Sequence, residues 1–178
     1  MKDRHNNTST LSTPHLLLRP WQAGDVQRLF SILQEPGIMQ YFPKTTSPPQ
    51  AWVEKYIAHH ASHWQEHGYG HWAVVTKSDE RVMGWTGLEY LPELNQTEIA
   101  YLLCGEVQGR GYATEAAQAA LTFGFEICRL EEIIGLVHPQ NAASIRVLEK
   151  CGLLFQDALE LWGMELLRYR ASNSQLSA

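Results

Sequence analysis

The segment QGRGYAT, residues 108–114, carries two glycines between an apolar run and a segment rich in alanine. This order predicts a strand, a glycine turn and the start of a helix. The first four N–H groups of a helix have no partner within it, and the helix dipole attracts an anion to them. Glycine lets the main chain approach a phosphate closely, and Arg110 adds a charged donor. The segment is therefore predicted to bind a pyrophosphate group.

Asn141 and Ser144 form a second polar pair at a predicted helix start, and Gly152 marks the end of that helix. Because the two residues are three positions apart, their side chains lie on one side of the helix and can act on the same ligand. A simpler alternative stays open for each. In these alternatives, the only role of Asn141 is to cap the helix, and Ser144 lies on the helix surface without a role.

Two common phosphate-binding motifs do not account for the glycine turn. The Walker A string G-x-x-x-x-G-K-[ST] does not occur in the sequence. A dinucleotide fingerprint needs Gly or Ala where Thr114 stands, and it belongs in the first β-α unit rather than past mid-chain. An ordinary tight turn before a helix is the remaining alternative.

The glycine turn and the polar pair must be positioned by a sheet, and the pattern of apolar residues predicts one. Strands are expected at residues 15–19, 71–76, 82–88, 99–104, 133–137, 153–159 and 161–169. Helices are expected to begin near residues 25, 47, 115 and 141, where apolar residues recur at helical spacing. This order predicts an α/β or α+β fold in which helices pack on a sheet.

The length of 178 residues fits a single domain, expected at residues 13–171 between disordered tails at 1–12 and 172–178. A net charge of −5 argues against a nucleic-acid partner and suits a cationic substrate such as an amine. Three cysteines without a C-x-x-C pair suit a reducing compartment, and no apolar run is long enough to span a membrane. We therefore expect a cytoplasmic protein.

Four histidines, at positions 59, 60, 63 and 67, include pairs at the i, i+4 spacing that metal sites on helices use. The glutamate of the H-E-x-x-H motif is missing, so packed or solvent-facing histidines are favoured. No metal is expected.

The two polar segments together, in this order and spacing, resemble the GNAT superfamily of acyl-CoA-dependent N-acetyltransferases. Finer motifs resemble its ribosomal-protein-alanine branch, of the RimJ/RimL type: LxRP at 17–20, MxYFP at 39–43, EIAY at 98–101 and HPxNxxSIxVLEKxG at 138–152. The resemblance covers about residues 16–169. It implies the GNAT fold, with a mixed, mostly antiparallel sheet of about seven strands, splayed between strands four and five, and about four helices. Acetyl-CoA would bind in the opening as cosubstrate.

The resemblance also assigns residues to that cosubstrate. The pantetheine arm would pair like an added strand with backbone groups on the central strand, and the diphosphate would lie on the amides of the glycine turn. Asn141 and Ser144 would face the pantetheine and its sulfur. The implied cofactor-binding residues are Leu102, Leu103, Cys104, Gln108, Gly109, Arg110, Gly111, Tyr112, Ala113, Thr114, Asn141 and Ser144.

The implied reaction is direct attack of a neutral amine on the thioester. Glu98 is the expected base, acting directly or through water. Ser144 is the expected group at the leaving thiolate, which it stabilises by hydrogen bonding, because a serine hydroxyl is a poor acid. Some GNAT relatives use a tyrosine of the fourth helix as the acid, but no tyrosine stands between positions 112 and 169. Tyr41, Phe42 and Trp85 are expected to shape the acceptor site.

The expected acceptor is the N-terminus of a protein or peptide. An α-amino group needs only about 1 kcal/mol to lose its proton at pH 7, against about 4.6 kcal/mol for a lysine ammonium. Two alternatives stay open: an enzyme for a small amine, such as a polyamine, an amino acid or an antibiotic, and a non-catalytic acyl-CoA sensor. Either a monomer or a homodimer is compatible with the sequence.

Overall fold

The computed structural model describes residues 10–43 and 46–173, which form one eight-stranded sheet and four α-helices. The strands are β1 (Leu11–Ser12), β2 (Leu16–Arg19), β3 (His71–Thr76), β4 (Val82–Leu91), β5 (Gln96–Leu103), β6 (Glu132–Val137), β7 (Leu154–Leu161) and β8 (Met164–Ser172). The helices are α1 (Asp25–Leu33), α2 (Gln50–His67), α3 (Tyr112–Thr122) and α4 (Ala142–Lys150). A π-helical turn, Phe123–Ile127, continues α3.

The strand order is β1-β2-β3-β4-β5-β6-β8-β7, and every neighbouring pair except β5 and β6 is antiparallel. The predicted mixed, mostly antiparallel sheet with four helices is confirmed. The eighth strand, β1, lies in the segment expected to be a tail.

Both predicted tail boundaries need correction. Leu11 and Ser12 pair with β2, so the regular structure begins before residue 13. Ser172 ends β8 and pairs with Glu132, so the regular structure also continues past residue 171. Backbone pairing with a neighbouring strand holds both segments, and their composition alone did not reveal it. The other predicted tail residues, apart from Thr10 and Asn173, lie outside the described residues.

The sheet divides between β5 and β6, the fourth and fifth strands once the short β1 is set aside. The two strands are parallel and pair at one position only, Glu98 with Ile134. Beyond that position the strands diverge, and the amide of Leu136 donates to the carboxylate of Glu98 at 3.2 Å. The side chain thus satisfies an amide that a continuous sheet would pair with a carbonyl. The predicted splay is confirmed.

Small residues place α3 close to the sheet at this division. Ala116, Ala117 and Ala120 are buried, and the helix contacts β4, β5 and α4. Alanine favours the helix and leaves little side chain between it and the strands. The N-terminus of α3 is therefore held beside the end of β5, where the sheet opens.

Among the described residues, no helix is both long and apolar enough to cross a lipid bilayer.

Candidate active site

A cavity of about 1190 Å³ occupies the opening between β5 and β6 and extends to α2 and β4. It brings together most of the residues that the sequence singles out. The predicted site residues that line it are Tyr41, Phe42, Trp85, Glu98, Leu102, Leu103, Gln108, Gly109, Gly111, Tyr112, Ala113, Thr114, Asn141 and Ser144. Two predicted residues, Cys104 and Arg110, do not line it.

The glycine turn presents unpaired amides at one end of the cavity. Gly109 and Gly111 have φ angles of 77° and 80°, a left-handed conformation that glycine adopts without strain. The first hydrogen bond of α3 runs from the Glu115 amide to the Gly111 carbonyl at 3.0 Å. No described residue accepts a hydrogen bond from the amides of Gly111 or of the first three helical residues. These amides form a site for an anion.

The backbone of β5 supplies a second set of unpaired groups, and the structure narrows which residues provide them. The Cys104 amide donates to the Met83 carbonyl at 2.8 Å, and the Cys104 carbonyl accepts from the Val107 amide at 3.3 Å. The Cys104 amide is therefore not available to a ligand, which argues against its predicted role, and that role stays a prediction. Since backbone groups alternate sides along an antiparallel strand, those of Leu102 also face β4. Leu103 and Tyr101 face the opening.

Asn141 and Ser144 occupy the opposite wall of the opening, at the start of α4. The Asn141 side-chain oxygen accepts from the Ser144 amide at 3.2 Å, so its interpretation as a helix cap is confirmed. The Ser144 hydroxyl lies 2.9 Å from the Tyr101 hydroxyl, which also donates to the Ser144 carbonyl at 3.1 Å. Burial raises the pKa of Tyr101 well above its ordinary value, so the phenol keeps its proton.

The sequence did not lead us to assign a role to Tyr101, although the residue belongs to the EIAY motif at 98–101. The alternation of β5 contains the signal, because Tyr101 is two positions before Leu103 and so shares its orientation. The contact with Ser144 joins residues 43 positions apart, and only the tertiary fold reveals it.

Glu98 lies at the fork of the sheet, where β5 and β6 separate. Only 8% of the residue is exposed, and it stands opposite Glu89 on β4. Burial, followed by the charge of Glu89, raises the pKa of Glu98 to about 8, while the hydrogen bond from the Leu136 amide opposes the shift. A carboxyl group with a pKa near neutrality is suited to accept a proton during a reaction.

Aromatic side chains, among them Tyr41, Phe42 and Trp85, form the far end of the cavity. The role of these three residues in an acceptor site stays a prediction. Phe42 meets Trp85 edge-on, with ring centres 6.4 Å apart, and Trp85 stacks on His71 at 4.6 Å. The tip of the β7–β8 hairpin adds Trp162 to this wall, which the sequence did not predict.

The four histidines of α2 divide into different environments. His63 is buried, its Nδ1 lies 2.7 Å from the Tyr69 carbonyl, and its Nε2 accepts from the Tyr90 amide at 3.0 Å. His63 is thus a packed, fully paired residue. His59, His60 and Glu89 instead place one possible ligand atom each within 4.8 Å of one another. The expectation of no metal stays a prediction.

Comparison with known proteins agrees with this geometry. A family model described as "Acetyltransferase (GNAT) domain" matches residues 15–154. The uncharacterized protein YkkB of Bacillus subtilis (strain 168) is 31% identical over 174 residues, which cover 92% of this chain and 96% of YkkB. Spermidine N(1)-acetyltransferase of Escherichia coli (strain K12) is 26% identical over 148 residues, or 80% of this chain and 74% of that enzyme.

A solved structure gives the same result. The acetyltransferase from Agrobacterium tumefaciens str. C58 superimposes with a TM-score of 0.82 at 26% identity, covering 96% of this chain and 98% of that one. The divided sheet and the glycine turn at the start of α3 therefore agree with an acyltransferase fold. The chain belongs to the GNAT family of acetyltransferases. Its place in the RimJ/RimL-type branch stays a prediction.

Proposed function

We propose that the protein transfers the acetyl group of acetyl-CoA to a primary amine, with Glu98 as the base and Ser144 at the leaving sulfur. The observation that carries this proposal is the position of Glu98. Its carboxyl group lies at the fork of the sheet, in the same cavity as the unpaired amides of the α3 N-terminus. A proton acceptor and an anion site thus line one opening.

The residues present fit coenzyme A. The amides of Gly111, Tyr112, Ala113 and Thr114 would bind its diphosphate, because they are unpaired and lie at the positive end of a helix. The backbone of Leu103 would pair with the pantetheine arm in the manner of an added strand. Bound there, acetyl-CoA supplies the thioester that the amine attacks.

Glu98 would take the proton of the acceptor ammonium. With a pKa of about 8, the carboxyl group is closely matched to an α-amino group, whose ordinary pKa is about 7.7–8.0. Transfer between two groups of similar pKa costs little free energy, so the neutral amine is available for attack.

Ser144 and Tyr101 would act together at the sulfur. The phenol has one proton and two neighbouring acceptors, the carbonyl and the hydroxyl oxygen of Ser144. When Tyr101 donates to the hydroxyl, Ser144 is free to direct its own proton at the thiolate. Tyr101 is then a positioning residue that acts through Ser144 and offsets the weakness of serine as a donor.

Two acceptors are proposed for this reaction. The motifs that resemble the ribosomal-protein-alanine branch favour the N-terminus of a protein or peptide. The end of the cavity lined by Tyr41, Phe42 and Trp85, which we call the acceptor end, also contains Glu98 and Glu89. These two acidic residues favour a small cationic amine as the second candidate. Glu98 would serve as base for both.

Calorimetry and acceptor assays test this function. We expect CoA and acetyl-CoA to bind the protein, and we expect acetyl transfer to peptides, simple amines or both. Glu98→Gln should keep CoA binding and lose transfer. Tight CoA binding without turnover on broad peptide and amine panels would instead indicate an acyl-CoA sensor, and a lack of CoA binding would refute the assignment altogether.

A further inference from the structure

Glu89 is a second carboxylate in the acceptor end of the cavity, and the proposed reaction does not use it. It stands directly opposite Glu98 in the pairing of β4 with β5, and both residues line the cavity. Among the described residues, no lysine or arginine forms an ion pair with either carboxylate. Glu89 is 28% exposed in its side chain, so it remains accessible to a ligand.

The imidazole that faces Glu89 does not complete a hydrogen bond with it. His71 is 2% exposed, and its Nδ1 lies 2.7 Å from the Tyr56 hydroxyl. Its Nε2 lies 3.9 Å from the Glu89 carboxylate and has no hydrogen-bond partner among the described residues. A buried polar atom without a partner is unfavourable, and a bridging ligand that supplies the missing hydrogen bond would recover this free energy.

The neighbouring histidines do not neutralise Glu89 from inside the protein. Burial lowers the pKa of His71 well below its ordinary value and that of His60 to about 3. Both rings are therefore neutral near pH 7. His59 contacts Glu89 at 3.1 Å from the exposed rim of the cavity, where solvent weakens the interaction.

Aromatic rings enclose the space in front of these groups. Trp85 stacks on His71 with an angle of 10° between the rings, and Tyr56 lies 5.7 Å from Trp85. Trp52 stacks on Tyr56 at 5.3 Å. The faces of such rings attract cations. The acceptor end therefore combines the Glu89 carboxylate and the Glu98 carboxyl group with rings that favour positive charge.

We propose that Glu89 and His71 form a subsite for a second ammonium group of the acceptor, so that the enzyme prefers small diamines. This inference rests on the proposed function, with the reacting amine at Glu98. Residues directly opposite in a sheet have Cβ atoms about 4.5–5.5 Å apart, and extended side chains reach somewhat farther. The two nitrogen atoms of the acceptor should then be separated by roughly three to five methylene groups.

A divalent metal fits the same space less well. Tetrahedral zinc has ligand distances of about 2.0–2.1 Å, which place its ligands roughly 3.4 Å apart. The candidate atoms of His59, His60 and Glu89 lie within 4.8 Å of one another, a looser bound than zinc ligation requires. His60 and His71 are also stacked nearly parallel at 3.7 Å, so their nitrogen atoms do not converge on one ion.

The test compares 1,4-diaminobutane with 1-aminobutane, using kcat/KM for acetyl transfer. We expect the diamine to be preferred by about 30-fold, because the second ammonium pairs with a partly buried charge. Glu89→Gln should reduce this ratio to about threefold or less. Glu54→Gln, which removes an exposed carboxylate from α2, is the control and should leave the ratio unchanged.

Two further measurements do not depend on Glu89→Gln folding normally. A series of diamines from three to eight methylene groups, assayed with the unmodified protein, should show highest kcat/KM at three to five. Glu89→Asp, which keeps the charge on a shorter side chain, should move this optimum to a longer diamine. Equal kcat/KM values across the diamine series would overturn the inference.

The outcomes separate this inference from the proposed function. Acetylation of peptides and 1-aminobutane with no preference for the diamine, or a preference that Glu89→Gln leaves intact, would overturn the subsite alone. Absence of transfer to every acceptor would overturn both proposals. Saturable binding of Zn²⁺ that Glu89→Gln abolishes and 1,4-diaminobutane does not compete with would replace the ammonium subsite by a metal centre.

Discussion

The two ends of the cavity are built from different parts of the polypeptide. At the cofactor end, where we propose that coenzyme A binds, backbone amides of one continuous segment, residues 108–114, face the cavity. At the acceptor end, side chains from α2, β3, β4 and β5 and the 39–43 loop converge. A short local sequence therefore specifies the first end, whereas only the folded chain assembles the second.

The two ends of the cavity also differ in how much they reduce the stability of the fold. The cofactor end uses groups that any helix start leaves unpaired, so it costs little stability. The acceptor end buries Glu98, and one nitrogen atom each of His60 and His71 has no hydrogen-bond partner in the part of the chain that the structure describes. Chemistry that requires buried polar groups reduces the stability of the fold, and the cofactor site does not.

The largest expected effect is at the acceptor end, on catalysis. Glu98→Gln cannot accept a proton, and we expect kcat/KM to fall by about 100-fold or more. In the unmodified enzyme, activity towards 1-aminobutane should rise with pH and level off above about 8, where Glu98 is ionised. The variant should keep rising up to pH 9, because it can use only the neutral form of the amine. Steady-state assays from pH 6 to 9 measure both quantities.

Glu54→Gln is the matched control for this variant and should retain the full rate and the full pH profile. A loss below about fivefold for Glu98→Gln, with the pH profile unchanged, would show that another group removes the proton.

Glu98→Gln should also stabilise the fold. Because the pKa of Glu98 rises from 4.5 to about 8 on folding, the folded state holds a proton that the unfolded chain releases between these values. Stability is therefore lost as pH rises through this window. At pH 7 we expect Glu98→Gln to raise the free energy of unfolding by about 3 kcal/mol, with little change below pH 4.5. Urea unfolding at pH 4 and pH 7 tests this, and an equal effect at both would contradict it.

The contrast between the ends also explains what the sequence could predict. The order of strands and helices and the glycine turn followed from periodic apolar residues, glycines and caps, which act locally. The splay of the sheet was implied only by the family resemblance. Glu98 and Ser144 were identified through motifs. Glu89, the neighbour of Glu98, was missed because strand register sets the contact between them.

Alternation within one strand was the other limit on prediction. Leu102, Leu103 and Cys104 were assigned to the ligand as a group, but neighbouring backbone groups point to opposite sides. Only a hydrogen bond such as that from Cys104 to Met83 fixes which side is free. The short β1 was missed for a similar reason, since two residues have no periodicity to detect.

A smaller effect is expected at the cofactor end. Gly111→Ala adds a methyl group at a φ of 80°, which strains a non-glycine residue, beside the amides proposed to bind the diphosphate. We expect CoA affinity to fall by about tenfold and stability by about 1–2 kcal/mol. Gly68→Ala is the control, because its φ of 78° gives similar strain at the end of α2, outside the residues that line the cavity. Equal CoA affinities of the two variants by calorimetry would show that the turn does not bind the diphosphate.

The smallest effect is expected where the two ends meet, at Tyr101. Tyr101→Phe removes one hydrogen bond to Ser144, worth about 1 kcal/mol, so kcat should fall about fivefold with the acceptor KM unchanged. Because the phenol acts through Ser144, adding this change to Ser144→Ala should cause no further loss. Tyr90→Phe, which removes a surface hydrogen bond to Asn95, is the control and should leave kcat unchanged. If the losses of Tyr101→Phe and Ser144→Ala were additive, the two hydroxyl groups would act independently, and the phenol would not position the serine.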